Sequence, residues 1–107
     1  MASDAGPSGQ LVLQHLDKLL GEKPDRISHD FSEATICLTK YRARVIDRLR
    51  QKGSPAEARG RLGRLNAVLS VVVGTHYPVG APKWEHLEKA RDSFAAVMRE
   101  LEAAGEA

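Results

Sequence analysis

A chain of 107 residues is long enough for one hydrophobic core and too short for two ordinary domains. With 42% hydrophobic and 28% charged residues it has a globular composition, not a disordered one, and an aromatic share of 5% leaves the core to Leu, Val and Ala. The single cysteine, Cys37, excludes an internal disulfide, and the longest apolar run, around Val71 to Val73, is far too short to span a bilayer. Met1 to Asp4 show no basic segment followed by an apolar one, so no secretory signal is expected, and the chain reads as cytoplasmic with no membrane association.

Residues 1–8, small and polar with Gly6 and Pro7, are expected to be a disordered tail. Leu11, Val12, Leu13, Leu16, Leu19 and Leu20 then recur at helical spacing, predicting a short first helix over 9–20 that Gly21 stops. Pro24 marks a loop. Asp30 followed by Glu33 resembles a capping box, with Ser28 as a competing N-cap. The second helix runs to Lys52 and ends at Gly53, with Phe31, Ala34, Leu38, Tyr41, Val45 and Leu49 as one buried stripe.

Ser54-Pro55-Ala56-Glu57 is the strongest local signal. A hydroxyl can accept from an orphan N–H, proline needs no donor at the first helical position, and a carboxylate suits the positive end of the helix dipole. A third helix follows to Thr75, with Leu62, Leu65, Leu69 and Val72 as its stripe. Tyr77 to Ala81 is a loop. Pro82 suits the first position of a fourth helix carrying Trp84, Leu87, Ala90, Phe94, Val97, Met98 and Leu101. No strand-period alternation interrupts this order. The expectation is an all-α fold: an up-down-up-down antiparallel four-helix bundle over residues 9–104, with a short first helix.

The net charge of +2 conceals an asymmetry. From Lys40 to Arg64, nine basic residues face only Asp47 and Glu57, a local +7 that leaves −5 to the rest. The plainest account is compensation within the chain, because the end of the fourth helix returns Glu100, Glu102 and Glu106 to this hairpin. A second account is a partner with an acidic face. Nucleic acid comes third. Arg44 and Arg48 lie on one side of the apolar stripe, Arg50 lies on the other and Lys40 nearly opposite, and Tyr41 belongs to the core, so there is neither a basic stripe nor a stacking platform.

Helix lengths add a second expectation. At 1.5 Å per residue the first two helices span roughly 18 and 34 Å, so the first covers about half of the bundle. Unless it slides or tilts, the hairpin end holds a groove lined by Val45, Ile46, Leu49 and Leu62 and rimmed by Arg42, Arg48 and Arg61. Arg42 falls within the helical stripe. It either lines that groove and meets a partner carboxylate or reaches solvent along the bundle edge.

A third expectation concerns Gly60, Gly63, Ala67, Ser70 and Gly74, which share one side of the third helix, away from its leucines. Each interior glycine costs about 1 kcal/mol relative to alanine, so a close-approaching helix should offset the cost. Either the third helix is central in its own bundle, or this face packs on another chain and makes a homodimer or hetero-complex.

His29, His76 and His86 are expected at one end, beside Asp30, Glu33 and Glu85, but no metal-ligand spacing links them, and they remain weak metal candidates. Cys37 reads as a packed small hydrophobe. Gly60 and Gly63 lie inside a helix and form no phosphate loop, and no nucleophile motif is present. No cofactor and no enzymatic activity are expected. The functional expectation is a protein–protein interaction module acting through the arginine-rimmed groove or the small-residue face. The alternatives are a nucleic-acid binder using the basic hairpin and a small metal- or ligand-binding bundle.

Overall fold

Apolar residues at steps of three and four wind the chain into four helices. A computed structural model describes residues 7–25, 27–53 and 56–105, the side chains of Lys52 and Glu57 excepted. The helices are α1 (Gly9–Glu22), α2 (His29–Lys52), α3 (Ala56–His76) and α4 (Trp84–Ala103).

Local chemistry sets the ends. Ser8 accepts a hydrogen bond from the Leu11 N–H at 3.2 Å, so it is the cap of α1 and not part of a tail; residues 1–6 of the expected tail lie outside the described residues. α1 also runs past Gly21 to Glu22. It stops where Pro24 could not supply the next donor, with Lys23 left-handed at φ 44° and its N–H donating to the Leu19 carbonyl at 2.8 Å. Ser28 caps α2, accepting from the Asp30 N–H at 3.1 Å; Asp30, the rival cap, is free to meet Lys18 at 3.3 Å.

α3 begins at Ala56. Ser54 and Pro55, which carried much of its predicted start, lie outside the described residues. α4 begins at Trp84, two residues after Pro82, where the indole reaches the Phe31 ring at a centroid distance of 5.9 Å.

Each helix packs on two neighbours: α1 on α2 and α4, and α3 on α2 and α4. α3 is therefore one corner of a four-helix arrangement and not its central rod, which removes one of the two accounts of its glycines. Side chains tie the neighbours together. Arg91 binds Asp17 at 2.8 Å between α4 and α1, Arg42 donates to the Asn66 side chain between α2 and α3, and Arg64 binds Glu100 at 2.8 Å between α3 and α4.

The core takes Val12, Leu16 and Leu19 from α1 and the whole expected stripe of α2. From α3 it takes Ala58, Leu65, Val68 and Val72, and from α4 Leu87, Phe94, Val97, Met98 and Leu101. Leu62 and Leu69, assigned to the α3 stripe from spacing, are only half-buried, while Ala58 and Val68 are enclosed. A helix that is apolar on most sides has no single face marked by its period, so the packing of α2 and α4 chooses the buried one.

Candidate interaction surface

The expected groove at the α2–α3 end is closed where two of its wall residues stand. Val45 is fully buried and Leu49 nearly so, within a core that includes Tyr41, Ala58, Met98 and Leu101. The length mismatch between α1 and α2 persists, at 14 and 24 residues, but it does not open the interior there. Ile46 and Leu62 are half-buried at the surface, and Arg48 is exposed. Arg42 is half-buried and turned to Asn66 of α3, an intramolecular partner that its place in the stripe did not reveal. Arg61 is half-buried.

Part of the basic segment is compensated inside the chain. Arg64 meets Glu100, and that hydrogen bond holds the Glu100 carboxyl below its ordinary value while raising the guanidinium. Arg44 lies over the Tyr41 ring, 5.4 Å from its centroid. Arg50 approaches Asp47 of its own helix at 3.8 Å.

The small-residue face of α3 is the reverse of closed. Gly60, Gly63, Ala67, Ser70 and Gly74 are all exposed. A Cβ built on Gly60, Gly63 or Gly74 would meet no atom within 4 Å. Among the described residues, therefore, nothing packs closely enough on these glycines to offset their cost. The five positions step by three and four residues along most of α3, which places them on one ridge.

Beside this ridge lies a hollow of about 610 Å³ between α3 and α4. Ala67, Val68 and Val71 form one wall, Ala90, Ser93 and Ala96 form the other, and Arg64, His86, Lys89 and Asp92 stand around it. The hollow exists because both walls carry short side chains where two packed helices present their outer edges. The contribution of α4 escaped the sequence reading. Its signal was available: His86, Lys89, Ser93 and Ala96 recur at steps of three and four, to one side of the leucine and phenylalanine stripe.

A second hollow, of about 430 Å³, lies between α1 and α2, lined by Leu11, His15, Ile36, Cys37 and Lys40 among others. Leu11 and Ile36 are exposed there, at 41% and 53%. Cys37 is buried, and that burial raises its thiol above the ordinary value, which suits an inert packed residue.

The three histidines do not form a ligand set. His29 and His86 are exposed, whereas the His76 ring is stacked between Phe31 at 5.0 Å and Tyr77 at 4.1 Å. Among the described residues no group of three or more His, Cys, Asp or Glu side chains could hold a metal ion. The helix ends that were expected to gather nitrogen ligands instead use His76 as a flat ring in an aromatic stack. No described helix is long and apolar enough to cross a membrane. No family model, curated protein or solved structure matches the chain.

Proposed function

We propose that this protein is a non-enzymatic interaction module, a small adaptor or accessory subunit, that holds another polypeptide on the outer face of α3 and in the hollow this face forms with α4. One observation carries the reading: Gly60, Gly63 and Gly74 sit inside a helix, exposed, with open space where their side chains would be. Each costs about 1 kcal/mol of helix stability relative to alanine, and among the described residues nothing packs on them to offset that cost. A backbone packed closely against the ridge would, because glycine and alanine let helix axes approach where larger residues would hold them apart.

The test is a pair of variants studied on untagged protein purified from its own host. Ala67→Glu places a charge on an exposed position, so it should leave helicity and thermal unfolding intact while removing any species heavier than the monomer in light scattering. Converting Gly60, Gly63 and Gly74 together to Ala should raise the unfolding temperature of the isolated chain and weaken the same assembly. A protein that is monomeric at every concentration and salt, or a heavier species indifferent to Ala67→Glu, refutes the reading.

A further inference from the structure

The hollow between α3 and α4 does not end at Val71. A second space of about 230 Å³ shares Val71 and His86 with it and continues past Gly74 to Pro78, Val79 and Lys83. The two make one trough along the small-residue side of α3. Its floor is apolar, formed by short side chains such as Ala67, Val71 and Ala96. Its charged lining is lopsided. Arg64, Lys83 and Lys89 border it, with His86 between them, against a single carboxylate, Asp92, which already meets Arg91 at 3.3 Å. Arg64 is engaged by Glu100, whereas Lys83 and Lys89 make no ion pair among the described residues.

We infer that the trough takes an amphipathic α-helix of a partner protein, its apolar ridge laid along Ala67, Val71 and Ala96 and its carboxylates facing Lys83 and Lys89. The inference rests on the interaction reading above and adds the chemistry of the occupant. The walls argue for a helix. Ala67, Ser70 and Gly74 on α3, and Lys89, Ser93 and Ala96 on α4, repeat at the spacing into which the ridge of a third helix seats, and short side chains bring its axis close. The unbalanced cations argue for acid on its flanks, because opposite charges speed and select docking at a rim. The α1–α2 hollow lacks this bias, because Glu33 and Lys40 both line it.

Two synthetic helical peptides of about 18 residues test this, long enough to run roughly 27 Å along the trough. They share a leucine ridge at steps of three and four, one flanked by Glu and the other by Lys. Each is titrated into the full-length, nitrogen-15-labelled protein at low and high salt. The Glu-flanked peptide should bind at least about tenfold more tightly at low salt, with the advantage shrinking as salt screens it. Amide shifts should gather on Ala67, Val71, Gly74, Ser93 and Ala96, and the double substitution Lys83→Glu with Lys89→Glu should reverse the preference. Equal affinity for the two peptides, no binding of either, or shifts centred on Leu11 and Ile36 would each overturn the inference. If the heavier, Ala67-dependent species described above is nevertheless present, the interaction reading stands without the acidic helix; if it is absent as well, both fall.

Discussion

Gly9 and Gly63 are the same residue put to opposite uses. Gly9 begins α1 in a crowded junction, where an added Cβ would collide with the Met98 side chain and lie 3.5 Å from the Tyr41 ring. There the missing side chain is filled by the protein's own core, which also holds Phe94 edge-on to Tyr41 at 5.3 Å. Gly63 lies inside α3 with nothing within 4 Å of its absent Cβ. The first glycine is explained by its neighbours. The second has no neighbour among the described residues to explain it, and the proposed partner would supply one. Close packing makes the difference measurable, since a methyl group added in a full interior is costly and one added to an exposed helix face is favourable.

The largest effect expected on the crowded side is from Phe94→Ala. It empties a fully buried ring position and should cost about 3–5 kcal/mol in a denaturant titration. A loss under 1 kcal/mol would mean the junction is loosely packed and the contrast with α3 false. Gly9→Ala should follow, destabilising by roughly 1–3 kcal/mol, since the Met98 stem must move within a filled core. If it stabilises instead, α1 does not press on α4 as described.

Tyr41 sharpens the same junction through pH. Its ring is fully buried and its hydroxyl has no hydrogen-bond partner among the described residues. Burial pushes its pKa up to about 12, against a reference value of 10.0. The folded state therefore resists ionisation that the unfolded chain accepts. The stability tied to this group is complete below pH 10 and declines as pH rises towards 12. Tyr41→Phe should remove that alkaline decline and add about 1 kcal/mol at neutral pH by deleting an unsatisfied buried hydroxyl. Denaturant titrations of the two proteins at neutral and at alkaline pH check both effects.

The smallest change belongs to the open side. Gly63→Ala should stabilise the isolated chain by about 0.5–1 kcal/mol, read as a higher unfolding midpoint with an unchanged denaturant slope. A destabilisation there would show that some part of this chain occupies the face after all.

Much of this contrast is already written in the residue order. The stripe of α2 lies inside from Phe31 to Leu49 because its apolar residues recur at steps of three and four along one face. The α4 stripe from Leu87 to Leu101 does the same. The small-residue ridge of α3 could also be listed from spacing alone. Its state could not: whether Gly60, Gly63 and Gly74 are covered depends on where the other helices stand, and they stand elsewhere. The groove lined by Val45 and Leu49 failed for a related reason. Helix length fixes how far a helix can reach, but burial at the far end depends on how the remaining side chains close over it.

By itself, then, the order of amino acids determined that there are four helices, roughly where they begin and end, and which residues of α2 and α4 face inward. Those are local properties, set by 3.6-residue periodicity, capping side chains and proline. The tertiary structure alone decided that α3 buries Val68 and Ala58 in preference to Leu62 and Leu69. It also sent Arg42 to Asn66 and His76 into an aromatic stack, and left the glycine ridge of α3 beside an open trough with Ser93 and Ala96 on its other wall. Those outcomes rest on contacts between residues distant in the chain, where a short side chain on one helix has meaning only against what the next helix places beside it.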